Sequence, residues 1–467
     1  MGFCLRFAAF GITLDDAANP WRRHVADDAH AANSTLHALA MRYLRPWRSV
    51  GIALSSVDDA HLRWADYRDP QWGGALPLGR AHNRLLRINI IDGELHYVSC
   101  VGHKSAKRRA RQHAALELLQ ATLDAHSLPD VDLVLSLSDR PTVPRWATAT
   151  LLRPPLVFAY VRTTQHWSVP FPYATFAPGR WDHLFRRLGA HPVLALRRPM
   201  AVWRGSCNSL CDMFKGHGCV SGASLDRRRM LQQAAQCSEL VDVALTKAHA
   251  NCRAFRPRPP LTMDEHAAYA LLLHVDGNGF SGRLEELLTL GGVVLKEDSP
   301  FDTWYYPLLR RGEHYVPVAR NFSTLCALLR RLRAAPHEAV ALAAAAQRFV
   351  ACYLTRERVF AYVAALVRGY AALQRFQPQL HPNAQRWDRT QAYDPATTDH
   401  ALGSSAGRHP LRKSHREAQR QGAVASALPQ HAGAERGSWD GCAAANTACC
   451  RRHPRACHRA SRLGSGK

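Results

Sequence analysis

Two short stretches of the chain hold residue types that can do chemistry together. One is Asp276-Gly277-Asn278-Gly279-Phe280-Ser281-Gly282-Arg283, entered from His274-Val275 and left through the helix-forming Leu284-Glu285-Glu286-Leu287-Leu288. A strand, a Gly-rich turn, an Arg and a helix start make an anion-binding layout. Small residues let backbone N–H groups approach a phosphate, the helix N-terminus adds partial positive charge, and Arg adds a forked donor. Asn278, Gly279, Phe280, Ser281, Gly282 and Arg283 are the expected cradle. The other stretch is the apolar run at 131–137, which ends at Asp139-Arg140-Pro141. Pro141 turns the chain outward. A carboxylate at such a strand end can take a proton from a hydroxyl; its plainer use is to cap a turn. One stretch can thus hold a phosphate-like anion, and the other can take a proton from a hydroxyl.

The elements that must position these residues alternate. Residues 85–97 read as a half-buried strand, 106–125 as a helix, 131–137 as a buried strand and 154–161 as another. A helix starts at 182, and the Pro-containing span 188–199 reads as a link between domains. A strand at 201–203, a helix at 227–235, a helix-like run at 265–273, a helix at 284–290 and strands at 293–296 and 315–318 follow. Good helix formers fill 322–332, 336–353 and 357–375. Such alternation predicts an α/β protein with two Rossmann-like domains on parallel sheets. The expected organisation is a poorly defined region 1–80, one Rossmann-like domain at 81–195, a second at 196–376, and a disordered basic tail 377–467 whose composition builds no core.

Further blocks stand in a fixed order around the two stretches: Ile88-Asn89-Ile90-Ile91-Asp92-Gly93, Pro170-Phe171-Pro172-Tyr173, Gly179-Arg180-Trp181-Asp182, Trp203-Arg204-Gly205-Ser206, Trp304-Tyr305-Tyr306-Pro307 and His314-Tyr315-Val316-Pro317-Val318. In this order, over roughly residues 85–375, they resemble the glycosyltransferase family 90 domain. That family includes capsule-associated and lipopolysaccharide-modifying enzymes and animal protein O-glucosyltransferases. The resemblance implies two facing domains of the glycosyltransferase B type with the donor in the cleft. It implies transfer from UDP-glucose or UDP-xylose to a hydroxyl on a protein or glycan, with inversion, in the secretory pathway (endoplasmic reticulum or Golgi lumen). It makes Asp139 the catalytic base and places Ser206 and Arg227 on the donor; Arg228 or Arg229 are alternatives to Arg227. The stretch after Phe176 is shorter than in the animal enzymes, which counts against an epidermal-growth-factor-like acceptor. Asp302 stands where many relatives carry Glu. No Asp-x-Asp pair is placed as a sugar-nucleotide metal site, so the expected reaction uses neither metal nor other cofactor, with Arg and helix dipoles replacing Mg²⁺.

Some residues near these blocks keep two readings. Asp276 either touches donor hydroxyls or caps the turn. Trp304, Tyr305 and Tyr306 either stack on the nucleotide base or belong to the core, and His314 reads as structural. A net charge of +24 and a pI near 10 raise the possibility of nucleic acid as partner. The charge is dispersed, however: residues 377–467 contribute 14 basic and 6 acidic side chains, and no basic stripe interleaved with aromatics occurs. Nucleic acid is therefore not expected, and a basic nucleic-acid-binding protein and a non-catalytic binding protein on the same fold are the rival classes.

Thirteen cysteines include Cys207, Cys211, Cys219, Cys237 and Cys252, which suit either two disulfides or free thiols. Cys442, Cys449, Cys450, His453, Cys457 and His458 form a Cys/His-rich tract, either zinc-binding or incidental. The only apolar run near the N-terminus, 7–14, is short for a signal peptide. No stretch reaches about 18 apolar residues, so no transmembrane helix is expected.

Overall fold

The computed structural model describes residues 29–63, 85–99, 106–143, 145, 154–185, 188–207, 226–248, 252–277 and 279–388. The Cys/His-rich tract, Cys211, Cys219 and Asn278 lie outside them.

The first sheet contains β1 (Leu85–Ile91), β2 (Glu94–Ser99), β3 (Val131–Ser136), β4 (Phe158–Ala159) and β5 (Val169–Pro170), in the order β2-β1-β3-β4-β5. The single strand expected over 85–97 is a hairpin. Asp92 and Gly93 take positive φ of 50° and 74°, and Ile91 faces Glu94 across them. Asp-Gly is the dipeptide that a two-residue hairpin turn selects, because both central residues need positive φ. In consequence β1 is antiparallel to both β2 and β3, and only β3, β4 and β5 run parallel. The second sheet meets the parallel expectation. Its strands β6 (Arg198–Gly205), β7 (Val241–Leu245), β8 (Tyr269–His274), β9 (Val293–Glu297) and β10 (Val316–Val318) are arranged β10-β9-β8-β6-β7, all parallel. A last strand, β11 (Gln385–Arg386), pairs antiparallel with β2.

Helices α1 (Ala29–Leu44), α2 (Leu54–Arg63), α3 (Ala106–Ala125) and α4 (Pro178–Phe185) precede the second sheet. Helices α5 (Asp226–Ala234), α6 (Met263–His266), α7 (Leu284–Thr289), α8 (Leu325–Ala334), α9 (Pro336–Tyr353) and α10 (Arg356–Ala371) follow in it and after it. The protein is thus an α/β fold on two sheets. The helix-like run expected at 265–273 divides differently. Thr262 and Glu265 form a capping box that starts the one-turn α6, and Tyr269–His274 is the central strand β8. A buried parallel strand is apolar on both faces, so periodicity does not distinguish it from a helix.

The end of the chain returns to the first half. In α10, the Tyr370 hydroxyl donates to the Asp132 carbonyl (2.7 Å) and the Tyr362 hydroxyl to the Pro170 carbonyl (2.7 Å). α10 also packs on α1, so Leu36, Ala40, Tyr43 and Leu44 enter the same core as β1 and β3. Residues 377–388, read from sequence as the start of the tail, are anchored through Trp387: its backbone N–H donates to the Leu95 carbonyl, and its ring meets Tyr97 and His113 edge-on. One Trp and a two-residue strand leave no periodic signal.

Candidate active site

In the second sheet β6 lies between β7 and β8. The chain leaves β6 toward α5 and β7 on one side, and leaves β8 toward α7 and β9 on the other. Ligands of open α/β sheets bind in the crevice at such a reversal, beyond the strand C-termini. Ser206 follows β6, Asp276 and Gly277 follow β8, Arg227 is the second residue of α5, and Arg283 is the N-cap of α7. Ser206, Arg227, Asp276 and Arg283 therefore lie together at the C-terminal ends of β6 and β8.

The two guanidinium groups are fixed by backbone carbonyls. Arg227 Nε donates to Asp276 O (2.9 Å), and its Nη1 donates to Ser206 O (2.8 Å) and reaches Ser206 Oγ (3.4 Å). Arg283 Nη1 donates to Arg204 O. Among the described residues neither has a carboxylate within salt-bridge distance. Burial pulls Arg227 down to about 10, helped by the charge of Arg283, which still leaves it cationic at neutral pH. Burial lowers Arg283 as well. Two oriented, poorly neutralised cations are what a diphosphate requires.

The turn between them is held from within. Asp276 Oδ1 accepts from the Ser281 N–H (2.7 Å), and Oδ2 accepts from the Ser299 hydroxyl. His274, pulled down to about 4 by burial, is neutral, and its Nε2–H donates to Ser281 O (3.2 Å). Asp276 is thus a turn cap, the second of its two readings, and the Ser281 N–H is already engaged rather than open to a ligand. Glu285 is buried behind the turn and accepts from the Tyr305 hydroxyl (3.0 Å).

The glycines have a role that the spacing did not disclose. Neither Gly279 nor Gly282 has positive φ. A Cβ on Gly279 would sit 1.7 Å from the carbonyl oxygen of Asp139, and one on Gly282 would sit 2.6 Å from the Tyr173 ring. The turn is pressed against the loops that follow β3 and β5. Phe280, 6% exposed, meets Tyr173 edge-on at 5.1 Å, so its ring is part of this wall. Arg180 Nη2 and Glu286 Oε1 close a buried ion pair (2.8 Å) beside it.

Asp139 stands at this seam with its side chain 29% exposed. Arg111 Nη2 on α3 donates to Asp139 Oδ2 (3.3 Å), while Nη1 donates to Leu137 O (3.0 Å). Sequence reading missed Arg111 and Tyr173 as site residues. Arg111 is one of several cations in a basic helix, and nothing local distinguishes it.

Trp304 and Tyr305 are fully buried in the core and present no face to a nucleotide base, which corrects the stacking alternative. The Tyr306 ring is covered by Lys296 Nζ at 4.6 Å. His314 accepts the Arg310 N–H at Nδ1 (3.0 Å) and packs on Phe349, a structural role. Asp302 is paired through its backbone with Arg162 and faces Tyr43; burial pushes it up to about 6. Cys207, next to Ser206, is bridged to Cys252, and Cys237 to Cys326. Among the described residues, no three His, Cys, Asp or Glu side chains gather as metal ligands.

A family model described as glycosyl transferase family 90 matches residues 78–399. The chain is similar to Protein O-glucosyltransferase 1 of Mus musculus, at 25% identity over 278 residues covering 56% of this chain and 65% of the mouse protein. It is similar to Protein O-glucosyltransferase 1 of Homo sapiens at 25% over 262 residues (52% and 63%), and to Protein O-glucosyltransferase 2 of Danio rerio at 26% over 262 residues (54% and 49%). The chain thus spans less than two thirds of the length of these relatives.

Proposed function

The chain belongs to glycosyltransferase family 90, and from that premise we propose that it moves a glucosyl or xylosyl unit from a UDP-sugar to a hydroxyl of a protein or glycan, with inversion. Asp139 takes the proton of the acceptor hydroxyl as its oxygen attacks the anomeric carbon. The bond from that carbon to the diphosphate breaks, and UDP departs with the electron pair. Arg283 and Arg227 meet the charge that develops on the leaving group, with Ser206 beside them. Donors oriented before the reaction lower the barrier because they need no reorganisation. The observation that carries this reading is the seam itself: the carboxylate-bearing loop lies in van der Waals contact with the anion-holding turn.

Two fixed guanidinium groups supply the positive charge that Mg²⁺ supplies elsewhere, so the reaction is proposed to need no metal. The protein acceptor is favoured by the relatives, which are named as protein O-glucosyltransferases. A secretory compartment is favoured by the two disulfides among the described residues, since such bridges persist where the environment is oxidising. Among the described residues no helix is long and apolar enough to cross a membrane.

The test is UDP release by the full-length protein from a panel of UDP-sugars, with and without EDTA. One donor should stand out, EDTA should leave its rate unchanged, and Asp139→Asn should lower it by about 10²–10⁴-fold. Release that persists undiminished in Asp139→Asn would remove the base from the scheme.

A further inference from the structure

Arg111 is 6% exposed, and its guanidinium joins three parts of the site. Nη2 donates to Asp139 Oδ2 at 3.3 Å. Nη1 donates to the Leu137 carbonyl at 3.0 Å, which locks the guanidinium to the end of β3. Its Cζ lies over the Tyr173 ring at 5.6 Å, and Tyr173 is the residue that touches Phe280 and Gly282 of the anion-holding turn. The backbone of Arg111 is itself tied down, since its carbonyl accepts the Tyr160 hydroxyl (3.3 Å) and Tyr160 packs edge-on against Tyr173 at 4.9 Å. Burial opposes the charge on Arg111, and the Asp139 carboxylate beside it favours that charge.

We propose that Arg111 is a positioning residue for the reaction: it holds Asp139 at Oδ2, favours the charged carboxylate, and ties its orientation through Tyr173 to the turn proposed to hold the donor. This inference rests on the reading of Asp139 as the base. A cation within about 4–6 Å of a carboxylate lowers its pKa by about 1–3 units. Arg111 makes no contact with the donor-holding arginines, so its effect falls on turnover rather than on donor affinity.

The experiment compares kcat/KM for UDP-glucose, read as UDP release between pH 5 and 9, in the wild type, Arg111→Met, Arg111→Gln, Arg111→Lys and Asp139→Asn. Arg111→Met should move the acid limb upward by about 1–3 pH units, with the largest loss below pH 6, recovery toward pH 8, and an unchanged KM. Arg111→Lys keeps the charge and should keep the limb in place while lowering kcat. If Arg111→Met does not fold, Arg111→Gln keeps a neutral polar side chain at this position and should show the same shifted limb. A uniform loss at every pH, the same for Lys as for Gln, would reduce Arg111 to a packing residue and overturn the proposal. An active Asp139→Asn would instead overturn the reading beneath it. An inactive Asp139→Asn beside an unmoved limb in both neutral variants would overturn the role of Arg111 alone.

Discussion

Replacing Gly279 with Ala tests whether the seam between the two halves sets the reaction geometry. The added Cβ would lie 1.7 Å from Asp139 O, 2.9 Å from Asp139 C and 3.5 Å from Arg140 Cα. Contacts under 3.0 Å are essentially never made by real Cβ atoms, so the two backbones must part by at least 1.3 Å, and by 1.7 Å to reach an ordinary 3.4 Å contact. The obstructing atoms belong to the backbone, so no rotamer change relieves them. The displacement falls on the residue that carries the proposed base. A misplacement of about 1 Å costs on the order of 10²-fold in rate. Gly279→Ala should therefore lower kcat/KM for UDP-sugar cleavage by about 100-fold or more, while overpacking at this buried seam lowers stability by about 1–3 kcal/mol. Gly277→Ala is the control. Its Cβ would meet only the end of the Arg227 side chain, at 3.1 Å, and that guanidinium can shift by tenths of an ångström; its loss should stay below about 10-fold. Parallel UDP-release kinetics and thermal melts separate the two. Wild-type kinetics in a folded Gly279→Ala protein would refute the reasoning, since the loops could then separate without consequence.

Glu285 gives a prediction about pH. Burial pushes its carboxyl up from 4.5 to about 7, so the folded state holds a proton that the unfolded state releases, and stability falls as pH rises from 4.5 through 7. Urea unfolding at pH 5 and pH 8 should show the wild type losing up to about 3 kcal/mol relative to Glu285→Gln between the two pH values, a difference in which groups shared by both proteins, such as His274 and Asp302, cancel. The bridge between Cys237 and Cys326 spans 89 residues of sequence, and Cys237→Ala should lower stability by about 2–5 kcal/mol. A thermal melt of the reduced wild type should fall with that of the variant; an unchanged melting temperature in both would show that the bridge contributes nothing.

The sequence by itself determined the local pieces of this protein. Turn chemistry and apolar runs marked β9, α7 and the strand that ends before Asp139, and they ordered strand, Gly-rich turn, Arg and helix around Arg283. Those features are encoded within a few residues, where period and turn preference act. The hairpin at Asp92-Gly93 was equally local, but alternation was read through it as one strand. Only the tertiary structure decided which distant residues meet. Asp139 and Gly279 are 140 positions apart and in contact. Arg111 reaches Asp139 from another helix, Cys237 finds Cys326 rather than a cysteine of its own cluster, and α10 returns to cover the first sheet. In each case the local pattern leaves several partners of the same type open, and the choice among them is made by the shape of the packed core.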